Sequence, residues 1–184
     1  IDRQVVKDFE AKLQRTAAGY APLRGDDFID WINERIIVPS EEWQRLIIAS
    51  VTEREKDGSD TIQNGKDQLH ALQEDAVGVR LPGAKRVGIV SVESLTRLIK
   101  ALSLNREEIA FHPLLPENLS ASDHENNTIA ITPFHEKLEK MSELLQTEET
   151  TETMVGEYLR YCGPVTPSSL SSLFGFPYTE TLSL

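Results

Sequence analysis

The chain contains a single cysteine, Cys162, and no long apolar run among its 184 residues. One thiol cannot form a disulfide within the chain, and it cannot build a cysteine-rich zinc site. No stretch approaches the roughly eighteen consecutive apolar residues that a membrane span requires, so we expect no membrane partner. A reducing compartment fits this composition, and we expect a cytoplasmic location.

Positive charge is also scarce, because 19 Lys and Arg residues face 30 Asp and Glu residues and the formal net charge is −11. This balance argues against broad, charge-driven binding of phosphate backbones by the chain as a whole. The acidic residues are concentrated between Glu117 and Glu157, where only Lys137 and Lys140 oppose them. We interpret that region as a solvated face and a linker.

Sequence signatures of catalysis are missing as well. No G-x-x-x-x-G-K-[ST] phosphate loop occurs, since Asn64-Gly65-Lys66-Asp67 lacks both the first glycine and the hydroxyl residue. None of the four scattered histidines has a second histidine four residues further on; they are His70, His112, His124 and His135. Cys162 falls on an apolar helical stripe, where a cysteine is usually a small core residue. We therefore assign no catalytic residue, no metal ligand and no cofactor to this chain.

Hydrophobic periodicity predicts helices in the first third of the chain. Residues 2–16 carry apolar side chains at spacings of three and four, and two further helices are predicted over 26–35 and after Pro39. The polar stretch 57–68 contains two glycines and is predicted to be a loop. Residues 66–74 can form a short additional helix.

The period of the pattern changes further along the chain. Apolar residues alternate from Val77 to Leu81 and again from Val87 to Ile89, and Pro82-Gly83 lies between the two runs. This pattern predicts a β-hairpin. The basic residues near its tip are Arg80, Lys85 and Arg86.

The order of these elements indicates a mainly α-helical fold with a small β-hairpin, of the α+β class. Helix, helix, loop, hairpin and a helix capped by Ser91 are compatible with a winged-helix domain. The predicted units are an N-terminal linking helix (1–21), a winged-helix domain (22–104), an acidic linker (105–150) and a truncated second winged helix (151–184). Within the linker, residues 105–133 are predicted to be irregular, and an amphipathic helix is predicted to follow from Phe134.

The stretch YLRYCGPVTPSSLSSLFGF, residues 158–176, has the pattern of a helix, a tight turn and a second helix. Gly163 is expected to end the first helix in a left-handed conformation. Thr166 is a predicted N-cap followed by a proline at the first helical position, and Gly175 is expected to end the second helix. A third helix is predicted to begin at Pro177. This is a helix-turn-helix pattern, and a plain helical hairpin is the alternative.

The same stretch resembles the start of a winged-helix module in the large helicase-related (Lhr) family of ATP-dependent helicases. The residues that match are Tyr161, Gly163, Pro164, Val165, Thr166, Leu170, Phe174 and Gly175. IDRQVVKDFEAKLQR followed by LRGDDFIDWI resembles the region just after the helicase core. RVGIVSVESLTRLIKAL resembles a segment that leads from the wing strand into the next helix.

This resemblance implies a non-catalytic nucleic-acid-binding region of an ATP-dependent DNA helicase that acts in DNA unwinding or repair. Its partners would be DNA, single-stranded or duplex, or an RNA–DNA hybrid, together with the rest of the helicase chain. ATP and Mg would belong to the parent protein. Basic and hydroxyl side chains suit phosphate contacts, and the predicted contact residues are Lys66, Arg80, Lys85, Arg86, Arg160, Ser168, Ser169, Tyr178 and Thr179.

A protein–protein scaffold is the alternative function. Winged helices also pack on one another, and the net charge of −11 favours a scaffold or a homo-oligomer over a nucleic-acid binder. The chain starts at Ile1 rather than Met, so we expect a fragment or a processed product. The third helix is cut short at Leu184, so the hairpin of the first module is the more testable site.

Overall fold

The structure is a computed structural model that describes residues 2–56, 71–114, 124–145 and 149–181. Its helices are α1 (Arg3–Leu13), α2 (Gly25–Arg35), α3 (Ser40–Lys56), α4 (Val92–Ala101), α5 (His124–Leu144), α6 (Thr151–Arg160), α7 (Pro167–Phe174) and α8 (Tyr178–Thr181). Its strands are β1 (Val38–Pro39), β2 (Ala76–Arg80), β3 (Gly88–Ser91) and β4 (Ala110–His112). None of the described helices is both long and apolar enough to cross a bilayer. The predicted α+β class is confirmed.

The four strands form one antiparallel sheet in the order β1-β3-β2-β4. The predicted hairpin is confirmed, because β2 and β3 pair with Val77 opposite Val90. Strand β4 was not predicted, and it adds to the free edge of β2 with His112 opposite Gly78. Position 78 has little room for a side chain, since a Cβ there would lie 3.0 Å from the His112 carbonyl oxygen.

Helices cover both faces of this sheet, so strands β2 and β3 are buried on both sides. One apolar cluster joins α2 and α3 to the sheet through Phe28, Trp31, Ile32, Val38, Trp43, Leu46, Ile47, Leu72, Ala76, Ile89 and Leu114. The other face carries Val77, Val79 and Val90, which pack in a second cluster with α4 to α7. Neighbouring strand residues therefore point into different cores, as the pleat of a strand requires.

The second apolar cluster draws on three of the four predicted units. Leu98 of α4, Phe134 of α5 and Phe174 of α7 are each buried in it. The core therefore crosses the boundaries predicted after residues 104 and 150. The four-part division of the chain stays a prediction, because sharing a core does not by itself exclude separate evolutionary or functional units.

Two helix boundaries test the local predictions. Ser91 caps α4 as predicted, because its Oγ accepts a 2.9 Å hydrogen bond from the Ser94 N–H. The prediction that residues 105–133 are irregular was wrong for two parts of that range, since β4 spans Ala110–His112 and α5 begins at His124 with Pro133 inside it. The predicted loop 57–68 lies outside the described residues.

Helix α1 lies on the surface, and none of its side chains is buried. Phe9, on its predicted apolar stripe, is 60% exposed. A residue just beyond the end of this helix gives a more definite contact with the body of the protein. The guanidinium of Arg15 lies 4.6 Å from the centre of the Trp31 ring and forms a 3.2 Å ion pair with Glu34.

Replacing Phe134 by alanine should destabilise the fold by about 3–5 kcal/mol, because the ring is fully buried where α5 packs against the rest of the core. Chemical denaturation followed by circular dichroism would measure the free energy of unfolding. Glu136→Ala, on an exposed position of the same helix, should change it by less than about 0.5 kcal/mol. Equal effects of the two substitutions would contradict the placement of α5 in the core.

Candidate functional site

The predicted contact residues fall into two groups in the structure, and Lys66 lies outside the described residues. In and beside the hairpin loop, Arg80 and Lys85 are exposed and Arg86 is half-buried. In the C-terminal helices the exposed members are Arg160, Ser168, Tyr178 and Thr179, and Ser169 is half-buried. The sequence places the two groups about eighty residues apart, and it contains no signal that they meet.

The structure joins the hairpin loop to α7 through backbone hydrogen bonds. The N–H groups of Lys85 and Arg86 both donate to the carbonyl oxygen of Ser172, over 2.8 and 3.0 Å. Ser172 lies in the last turn of α7, where carbonyls have no partner within the helix. The hairpin loop therefore acts as a C-terminal cap for α7.

Two glycines allow this close contact. Gly83 in the loop and Gly175 at the end of α7 have φ angles of +75° and +82°. A Cβ on Gly83 would lie 2.7 Å from the Gly175 carbonyl oxygen, and a Cβ on Gly175 would overlap the Pro82 carbonyl oxygen. The predicted end of α7 at Gly175 is confirmed, and the structure shows that the same glycine is also needed for the approach of the loop.

An ion pair holds the side chain of Arg86. Its guanidinium donates a 2.8 Å hydrogen bond to the carboxylate of Glu41, in the first turn of α3. This hydrogen bond lowers the pKa of Glu41 and raises the pKa of Arg86. Arg80 and Lys85 form no ion pair within the described part of the chain, so they are the cations of this region that remain open to an external anion.

A buried ion pair lies behind this surface. The guanidinium of Arg35, which is fully buried, donates to both carboxylate oxygens of Glu42, over 2.6 and 2.9 Å. The same guanidinium donates to the carbonyl oxygen of Tyr161 over 3.2 Å. It also lies over the rings of Trp31 and Tyr158, 5.3 and 5.6 Å from their centres. Arg35 thus connects α2, α3 and the turn that follows α6.

Burial dominates the electrostatics of this cluster. Burial raises the pKa of the Glu42 carboxyl by more than the charge of Arg35 lowers it. Burial also raises the pKa of the Cys162 thiol, whose sulfur lies 3.6 Å from a nitrogen of Arg35. These directions fit a packed structural thiol, because a reactive cysteine needs a lowered pKa.

The turn between α6 and α7 differs from its prediction at one residue. Helix α6 ends at Arg160, and its C-cap, Tyr161, has a φ angle of −108°. Gly163 does not adopt a left-handed conformation, so that prediction was wrong. A side chain at position 163 would instead overlap the carboxylate of Glu10 from α1. The predicted cap at Thr166 is confirmed, since its Oγ1 accepts from the Ser169 N–H over 3.2 Å.

A small polar cleft of about 190 Å³ lies between this turn, α1 and the start of α3. Its lining includes the side chains of Arg45, Arg86 and Ser169, but also those of Glu10 and Glu42. Because basic and acidic side chains both line the cleft, it is not a binding site for ligands of one charge sign. Among the described residues, no group of three or more His, Cys, Asp or Glu side chains is arranged to hold a metal ion.

Comparison of the chain with protein-family models, with curated proteins and with solved structures finds no match in any of the three. The resemblance to the large helicase-related family therefore rests on sequence motifs alone, chiefly the stretch 158–176.

Replacing Gly175 by alanine should loosen the contact between α7 and the hairpin loop, because alanine disfavours φ of +82° and its Cβ would meet the Pro82 carbonyl. We expect a loss of about 1–3 kcal/mol in the free energy of unfolding and faster hydrogen exchange at the Lys85 and Arg86 amides. Gly156→Ala is the matched control, since nothing lies within 4 Å of a Cβ there. Alanine in that helix should be neutral or stabilising. The contact is misassigned if both variants behave alike.

The ion pair of Arg86 should be visible in the titration of Glu41. Its folded pKa is lowered below 4.5, so its stabilising contribution is present above that value and disappears as the pH falls through the folded pKa. Following the carboxyl carbon by NMR, we expect Arg86→Ala to raise the pKa of Glu41. Arg45→Ala should raise it less, because Arg45 acts only through its more distant charge. An unchanged Glu41 pKa in Arg86→Ala would rule out the ion pair in solution.

Proposed function

We propose that this chain is a winged-helix accessory module that binds nucleic acid as part of a larger ATP-dependent DNA helicase. The order α2, β1, α3 and the β2–β3 hairpin supports the winged-helix assignment. The pairing of β1 with β3, the second strand of the hairpin, supports it further. Ala71 and Leu72 are helical just before β2, which suits a third helix ahead of the hairpin.

The observation that carries the functional proposal is the joining of the two predicted contact groups at Ser172. The hairpin loop brings Lys85 to the last turn of α7, whose first turn carries Ser168, and the helix that follows begins at Tyr178. Cationic and hydroxyl side chains bind phosphate oxygens. The ring of Tyr178 is 55% exposed and can stack on a base. We call Arg80 and the hairpin loop 81–87 together with residues 168–179 the composite surface.

The wider assignment follows the motif resemblance. ATP and Mg would be bound by the helicase core of the parent protein, and this module would act on the DNA or RNA–DNA hybrid during unwinding or repair in the cytoplasm. The partners proposed for the module are therefore a nucleic acid and the rest of its own helicase.

Reversing the charges of Arg80 and Lys85 should weaken nucleic-acid binding and reduce its salt dependence. For each phosphate that is no longer neutralised, the slope of log K against log salt should become shallower by about 0.9 for duplex DNA and about 0.7 for single strands. Fluorescence anisotropy with labelled single-stranded, duplex and RNA–DNA hybrid oligonucleotides would measure both the affinity and the slope. Arg86 is left intact in this variant, because its reversal would place a second carboxylate beside Glu41.

The matched control reverses Arg24 and Lys7, which are also exposed. Arg24 lies near the far end of α3 from the hairpin loop, since Arg54 of α3 donates to the carbonyl of the adjacent Leu23. This double reversal gives the same net charge and replaces no residue of the composite surface. Equal affinity and equal salt slope in the two double variants would remove the composite surface as the binding site.

A scaffold is the second candidate function, and one observation favours it. The hairpin loop already serves as a docking surface for a helix, because it caps α7 through Ser172. The net charge of −11 also opposes binding to phosphate. A stable oligomer in light scattering, with no DNA binding at moderate salt, would support the scaffold over the nucleic-acid binder.

A further inference from the structure

The turn after α6 is held from inside the protein, and α7 is held both by its buried Leu173 and Phe174 and by its bonds to the hairpin loop. Arg35 contacts the turn at the carbonyl of Tyr161 and at the sulfur of Cys162. Within the described residues, Gly163, Pro164 and Val165 form no hydrogen bond to another element. Helix α7 then begins, and its last turn receives the hairpin loop at Ser172. A short stretch of chain therefore links the buried contact to the exposed one.

The Arg35–Glu42 pair is poorly explained as a device for stability alone. Apolar residues of similar volume often replace a buried ion pair at no cost in stability, because both charges must lose their water. The Arg35 Nε and the neighbouring Trp31 Nε1 are also buried without a hydrogen-bond partner among the described residues. An apolar pair could not donate a hydrogen bond to the Tyr161 carbonyl. It therefore could not set the position of the turn.

We propose that Arg35 is a positioning residue that seats α7 on the hairpin loop. Arg35 holds the turn at Tyr161 and Cys162. It thereby fixes the position of α7 in which the Ser172 carbonyl accepts from the amides of Lys85 and Arg86. The composite surface then exists as one unit only while Arg35 holds the turn. The role of this unit in nucleic-acid binding rests on the proposed function, but the positioning itself does not.

The test replaces both partners, as Arg35→Met with Glu42→Met, so that no unpaired charge remains in the core. Hydrogen exchange by NMR at Lys85 and Arg86 reports the seating of α7, because those amides donate to Ser172. Thiol labelling of Cys162, the single cysteine, reports the turn. We expect both rates to rise at least about tenfold while the amides of the β2–β3 ladder keep their protection.

The matched control is Arg15→Met. Arg15 also lies over the Trp31 ring, but it pairs with Glu34 and has no contact with the turn among the described interactions. In this variant, the exchange rates of the Lys85 and Arg86 amides and the labelling rate of Cys162 should change less than about twofold. Arg35→Lys is a milder second variant in case the double variant does not fold. A lysine keeps the charge but lacks the planar fork, so it should shift the same two rates in the same direction.

Two results would overturn the proposal. In the first, the Lys85 and Arg86 amides keep wild-type protection in the Arg35 variants. In the second, every amide loses protection equally, which would make Arg35 a general core residue. Oligonucleotide binding is measured separately on the same proteins. If the Lys85 and Arg86 amides respond but no variant or wild-type protein binds nucleic acid, the positioning role stands and the proposed function fails.

Discussion

The pairing of Arg35 with Glu42 is the buried interaction that joins α2, α3 and the turn after α6. A fully buried guanidinium cannot remain without partners, and five donors in a fixed plane demand acceptors in fixed places. Glu42 supplies two of them from α3, and the Tyr161 carbonyl supplies another from the turn after α6. Three segments that are distant in sequence are thereby held at one point. Removing a single partner of such a pair typically costs on the order of 3–5 kcal/mol.

The sheet provides the frame around that point. Because β2 and β3 are buried on both faces, they separate one apolar cluster under α2 and α3 from another that collects α4 to α7. The hairpin loop extends past the edge of this frame, where its backbone amides need acceptors. Helix α7 ends there with carbonyls that need donors. The loop amides therefore donate hydrogen bonds to the carbonyl oxygen of Ser172. The backbone amides of the loop are thus bonded to α7, while the side chain of Lys85 stays exposed and that of Arg86 pairs with Glu41.

Local chemistry explains which predictions succeeded. The caps at Ser91 and Thr166, the helix end at Gly175 and the alternating hairpin all depend on residues within a few positions of one another. Predictions failed where a distant contact decided the outcome. Gly163 was expected to adopt a positive φ, but the helix already ends at Arg160, and Gly163 lies against the side chain of Glu10 from α1. Strand β4 has three residues and forms only because β2 offers a free edge.

The amino-acid sequence by itself determined the mainly helical class, the hairpin, the ends of several helices and the basic residues near the hairpin tip. These features follow from backbone preferences and periodicity, which act over a few residues. Only the tertiary structure decided that the hairpin loop caps α7, that Glu41 holds Arg86, and that Arg35 connects three segments. Those contacts join residues from seven to more than a hundred positions apart. Their partners are chosen by the folded geometry, because a buried donor binds whichever acceptor the packed core places within reach.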